Sequence, residues 1–76
     1  MPPSAGALVD RAGLKGLAIG GARVSREHAN FIVTDGRASA KDIARLVRHC
    51  RRAVAKRFGV ELREEIVYVG RFEDGD

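Results

Sequence analysis

Three polar side chains carry chemistry in this 76-residue chain. His28 and Asn30 lie two positions apart in "SREHANFIVTDG", and Glu65 stands just ahead of "IVYVG". An imidazole, a carboxamide and a carboxylate that meet can bind a polar ligand, or hold a proton donor beside a developing negative charge. Taken one at a time, each is an ordinary surface residue. They become a site only if the last strand pairs near the "HANFIV" strand.

Two other patterns compete for attention. "GLKG", Gly13 to Gly16, matches the GxxG loop that clamps nucleic-acid backbone in KH domains. That loop must join two helices, and "LAIGGARVS" is no helix, so a helix C-cap at Gly13 is the better explanation. The second pattern is basic. Lys41, Arg45, Arg48, Arg51, Arg52, Lys56 and Arg57 share one helical stretch with Asp42 as its only acid. Such a face can track phosphates. It also suits a solvated surface whose long stems cover the rim of a small core. No aromatic is interleaved to stack bases, so the solvated face is favoured and nucleic acid is the less favoured partner.

Composition sets the frame. The chain is 45% apolar and 32% charged, the range of a globular domain rather than a disordered one. Residues 1–76 are expected to form one domain with a small core. A net charge of +4 and a pI near 10.0 bias encounters toward anions. One cysteine, Cys50, rules out an internal disulfide and suits a reducing compartment. One cysteine also rules out a Cys-rich metal site, and two histidines argue against a structural zinc site, so no metal is expected. No apolar run approaches the ~18 residues of a membrane span. The opening "MPPSAGALVD" has no basic region ahead of a long apolar stretch, so no signal peptide is expected.

The elements follow from periodicity. Ser4 is the expected N-cap of a short helix whose Leu8, Val9 and Ala12 share a face. Gly13 ends it in a left-handed C-cap, with Leu14 packing back on the last turn. Gly20-Gly21 marks a turn or a close backbone approach. "ARVS" is a short strand and "HANFIVTDG" a clear one. Alternation puts Ala29, Phe31 and Val33 on one face, and His28, Asn30 and Ile32 on the other; it permits, without requiring, that the first face meets the core and the second a ligand. Ser39 caps the long helix with Asp42 in a capping box. Ile43, Leu46, Val47, Cys50, Val54 and Phe58 form its buried stripe, and Gly59 ends it. "EEIVYVG" is the last strand. The order helix, strand, strand, helix, strand predicts a small two-layer α+β domain with helices packed on a sheet.

Read as one text, "SAGALVDRAGLKG", "GGARVS", "HANFIVT" and "FGVELREEIVYVG" resemble the C-terminal, substrate-binding domain of the UDP-N-acetylenolpyruvoylglucosamine reductases, also called UDP-N-acetylmuramate dehydrogenases (MurB). The family pattern runs S-A-G-x-L-I-[ED]-x-A-G-L-K-G, then G-G-A-x-V-S, H-A-N-F-I-V-N and F-G-V-x-L-x-x-E-V-x-x-[IV]-G. The likeness extends from Ser4 to Gly70 in long blocks in order. It implies a cytoplasmic enzyme of peptidoglycan synthesis. FAD reduced by NADPH passes a hydride to the enolpyruvyl group of a UDP-sugar, UDP-N-acetylglucosamine enolpyruvate. By the same resemblance Glu65 matches the active-site glutamate, since the spacing to Gly70 selects it over Glu64. His28 takes a substrate-contact position that is a glutamine in some members, and Asn30 belongs to the same block. Gly20 and Gly21 match a turn where bare backbone approaches the nucleotide sugar. Thr34 stands where the family block often has Asn. The family's proton-donating serine precedes "SAG" in a G-S-x-F-x-N-P segment, and its FAD-binding sequence lies further upstream. Neither is in this chain. It is therefore expected to bind no FAD or NADPH alone, to be inactive in isolation, and to need the FAD-binding domains in trans.

Overall fold

The computed structural model describes residues 5–29, 31–62 and 67–71. The chain runs α1 (Ala5–Arg11), β1 (Ala18–Ile19), β2 (Ala22–Val24), β3 (Phe31–Thr34), α2 (Ala40–Phe58) and β4 (Val67–Arg71). The four strands make one mixed sheet in the order β1-β2-β3-β4. β1, β2 and β3 are antiparallel neighbours, and β4 pairs parallel to β3. A parallel neighbour needs a long crossover, and α2 provides it. The expected two-layer α+β arrangement is present. It gains one strand, β1, whose two residues are too few for any alternation to be legible.

Local chemistry explains the element ends. α1 closes in a Schellman motif: Leu14 N–H donates to Val9 O (3.2 Å) and Gly13 N–H to Asp10 O (2.9 Å), with Gly13 at φ 76°. Leu14 folds back and is buried. Gly16 N–H donates to Val24 O (2.9 Å), which ties the following loop to β2. α2 starts in the expected capping box: Ser39 Oγ accepts from Asp42 N–H, and the Asp42 carboxylate accepts from Ser39 N–H. It ends at Gly59 in the left-handed conformation. The Ser4 cap lies outside the described residues.

α2 lays Leu46, Cys50 and Val54 on the sheet, all fully buried. Ile43, Val47 and Phe58 pack at the margin of this stripe. From the sheet come Ala22, Val24 and Ile32, and from α1 come Leu8 and Val9. Register fixes these faces, since Val24 pairs with Ile32 and Ala22 with Thr34. Here the structure corrects the sequence reading. Ile32 joins the cluster between helices and sheet, whereas Val33, though also buried at 5%, and the half-buried Phe31 do not. Phe31 and Val33 belong to the opposite face, with Arg23 paired to Val33. The reason is that β3 begins only at Phe31, so the alternation cannot be carried back through Ala29. A one-residue slip exchanges the faces. Ala29 is buried in the core from a turn, outside the strand.

The Gly20-Gly21 turn closes the β1–β2 hairpin with Ile19 opposite Ala22. Gly20 has φ 58°, as primed hairpin turns require. A Cβ on Gly20 would run into the Asp42 carboxylate, whereas one on Gly13 would meet nothing within 4 Å. Both positions disfavour an L side chain by roughly 1–2 kcal/mol. Gly13→Ala is therefore expected to cost about that much in a urea unfolding titration. Gly20→Ala should cost more, with the excess shrinking when Asp42 is also replaced by Ala.

Candidate functional site at one end of the sheet

Two ends of the sheet have different chemistry. At one end the Gly20-Gly21 turn sits against the start of α2. Asp35 N–H donates to Gly21 O (3.0 Å), and Gly21 N–H donates to Asp42 Oδ2 (3.4 Å). A Cβ on Gly21 would collide with Asp35 Oδ1 and lie 2.8 Å from Ala38 N. The close approach these glycines allow is thus made by the chain's own Asp35, Ala38 and Asp42. Asp35 is held as an anion: it accepts from Arg37 N–H (2.8 Å) and Arg37 Nη2 (3.3 Å). The Arg37 backbone bond is the main cause that moves its carboxyl below the usual range. Asp35 and Asp42 beside the turn are engaged by Arg37 and by the backbone amides of Gly21 and Ser39.

At the other end, Ser25 to Phe31 form a tied loop. Ser25 N–H donates to Phe31 O (2.9 Å), and Phe31 N–H donates to His28 O (2.9 Å). His28 is exposed, and its ring meets Phe31 edge-on with centroids 5.4 Å apart. Val67, the first residue of β4, pairs with Phe31. The start of the last strand therefore lies beside the His28 loop, the juxtaposition a three-residue site requires. Asn30 and Glu65 themselves fall outside the described residues, and Glu65 is two positions ahead of Val67 in the chain. The structure does not bring Gly20-Gly21 to this end. That turn follows the opposite ends of β2 and β3, beyond the Ala22–Thr34 pair.

The remaining features are separate. "GLKG" joins α1 to β1 rather than two helices, which removes the geometry of a KH clamp. Lys41, Arg45, Arg48, Arg52 and Lys56 are all exposed on α2. They follow helical i+3 and i+4 steps along a ridge of about 22 Å, on the side away from the buried stripe. The ion pairs found among the described residues, Lys15–Asp10 and Arg37–Asp35, do not involve it. An open depression of about 260 Å³ is lined by Arg51, Arg52, Ala55, Glu61 and Leu62, none of them an expected site residue. Among the described residues no group of three His, Cys, Asp or Glu is arranged to hold a metal. No helix among them is long and apolar enough to cross a membrane.

Comparison with known proteins gives one answer. The family model described as UDP-N-acetylenolpyruvoylglucosamine reductase, C-terminal domain, matches residues 1–69. A protein of that name from Desulfosudis oleivorans is 55% identical over 67 residues, which cover 88% of this chain and 21% of the relative. One from Anoxybacillus flavithermus is 45% identical over 71 residues, 93% of this chain and 24% of the relative. One from Bacillus subtilis is 43% identical over 70 residues, 92% and 23%. The chain spans about a quarter or less of the length of these relatives.

Cys50 is fully buried, and that burial pushes its thiol up to about 11. The neutral thiol is no nucleophile at pH 7. A thiol–disulfide reagent at pH 7.5 should label the folded chain far more slowly than the urea-unfolded chain. Because the folded value lies above the ordinary 9.0, the stability this thiol contributes is full below pH 9 and is lost as pH rises through about 11. A urea midpoint that falls over that window, and falls less in Cys50→Ala, is the expected result.

Proposed function

Since the chain belongs to the UDP-N-acetylenolpyruvoylglucosamine reductase family, we propose that it is the substrate-side domain of such an enzyme, working in cytoplasmic peptidoglycan synthesis. Its ligand is UDP-N-acetylglucosamine enolpyruvate. In this reading Glu65 acts at the substrate's reacting end, and His28 and Asn30 bind and orient it. The flavin, reduced by NADPH, would supply the hydride from the part of the relatives that this chain does not span. No residue described here is assigned to hold it. The 76 residues by themselves bind without turnover and act only with FAD-binding domains supplied by a further stretch of chain or in trans.

The observation that carries this reading is the parallel pairing of Phe31 with Val67. It makes the start of β4 a neighbour of the His28 loop, so a ligand held there can reach residues far apart in sequence. Gly20 and Gly21 hold α2 on the hairpin, and in this reading their bare backbone also approaches the nucleotide sugar.

Amide NMR titration with UDP-N-acetylglucosamine tests the reading. Shifts are expected at His28, Ala29, Asn30, Phe31 and Glu65, and His28→Ala should weaken binding by roughly 3- to 10-fold, the worth of one lost hydrogen bond. Shifts centred elsewhere would remove the site.

The exposed ridge on α2 supports a second reading, a basic module that binds nucleic-acid backbone. It makes a different prediction. Affinity for a duplex would fall with salt at a log–log slope of roughly −0.9 per phosphate contact, and Arg45→Gln, Arg48→Gln and Arg52→Gln together would flatten that slope by roughly 2 to 3. The substrate-domain reading expects no duplex binding at 150 mM salt and an unchanged UDP-sugar affinity in the triple variant.

A further inference from the structure

His28 sits on a loop between antiparallel strands, exposed to water, where an imidazole would ordinarily sample many directions. Several interactions restrain it. The Ser25 hydroxyl oxygen accepts from Glu27 N–H (3.2 Å) and from His28 N–H (3.3 Å). Ser25 is only 4% exposed, so this oxygen is a fixed acceptor inside the fold rather than a surface hydroxyl. The bracket from Ser25 N–H to Phe31 O closes the loop at its base, and Phe31 N–H binds back to His28 O, both at 2.9 Å. The Phe31 ring then receives the imidazole at an interplanar angle of 61°. Ala29, buried at 4%, anchors the loop from beneath.

We infer that Ser25 is a positioning residue for His28: its hydroxyl sets the backbone turn that presents the imidazole, and the Phe31 ring sets the direction the imidazole faces. The inference rests on reading His28 as a ligand contact, and its geometric half stands apart from that reading. Serine suits the place because it is small enough for a buried corner and its oxygen can accept from two successive amides. Alanine removes the acceptor. Threonine keeps it. A pre-set imidazole loses less freedom when a ligand arrives, so the loop contributes to affinity without touching the ligand.

The test uses the 76-residue chain with Ser25→Ala, Ser25→Thr and Phe31→Leu, followed by NMR of the His28 imidazole and of the Glu27 and His28 amides. In Ser25→Ala the imidazole resonances should move toward those of an unstructured peptide. The two amides should exchange faster, while the amides of Leu46 and Cys50 hold. UDP-N-acetylglucosamine affinity should fall roughly 3- to 10-fold, and Ser25→Thr should restore both readouts. Phe31→Leu should move the imidazole resonances and leave the two amides protected, and it carries the test if Ser25→Ala does not fold. Imidazole signals and amides that stay unmoved in folded Ser25→Ala, or a Phe31→Leu chain with unchanged imidazole signals, would overturn the inference. If the unsubstituted chain binds no UDP-sugar, the proposed function fails. The imidazole and amide readouts then decide the positioning role alone.

Discussion

The carboxylate of Asp42 is bonded from two directions, and the rest of the domain is arranged around that fact. It closes the capping box of α2 through Ser39 N–H, and it takes Gly21 N–H from the hairpin turn. It occupies the space a side chain on Gly20 would need. One short acid thereby fixes both where the long helix begins and how the β1–β2 hairpin lies against it. A helix start leaves amide donors that its cap must satisfy. A turn that close to a carboxylate needs glycine. Each requirement enforces the other.

With the start of α2 fixed, its stripe has one place to go. Leu46, Cys50 and Val54 meet Val24 and Ile32 across the layer interface, and Leu8, Val9 and Leu14 close the margin. A chain this short buries a modest fraction of its surface, so few positions carry its stability and most are aliphatic. The same helix is the crossover that lets β4 lie parallel to β3. The packing that stabilises the fold therefore also brings the start of the last strand to the His28 loop. The His28 loop and the Gly20-Gly21 turn are at opposite ends of one sheet, so Asp35 and Asp42 stand apart from the loop.

Charge is distributed accordingly. Three acids of the described fold are engaged near turns: Asp42 in the cap, Asp35 with Arg37, Asp10 with Lys15. Lys41, Arg45, Arg48, Arg52 and Lys56 of α2 face outward in a row, opposite the stripe that packs on the core. Their long stems shield the edges of that core, and their charge raises the encounter rate with anionic ligands.

The long helix, its capping box, its buried stripe and its glycine stop were legible in the sequence, because 3.6-residue periodicity and capping chemistry act within a few residues of chain. So was the Schellman end of α1. The strand β1 was not legible, since two residues carry no alternation. The face of β3 was misread because the turn that ends at Phe31 is set by Ser25 accepting from amides further along, which pattern alone does not reveal. The glycine pair was recognised as a place of close approach, yet only the fold showed that the approaching groups are Asp35, Ala38 and Asp42. Local chemistry in the sequence determined where elements begin and end, and the order of its blocks determined the family. Tertiary structure decided which strand ends are neighbours, which face of β3 meets the helices and what fills the glycine turn. These depend on contacts between residues distant in the chain, and such contacts exist only once the helix has packed on the sheet.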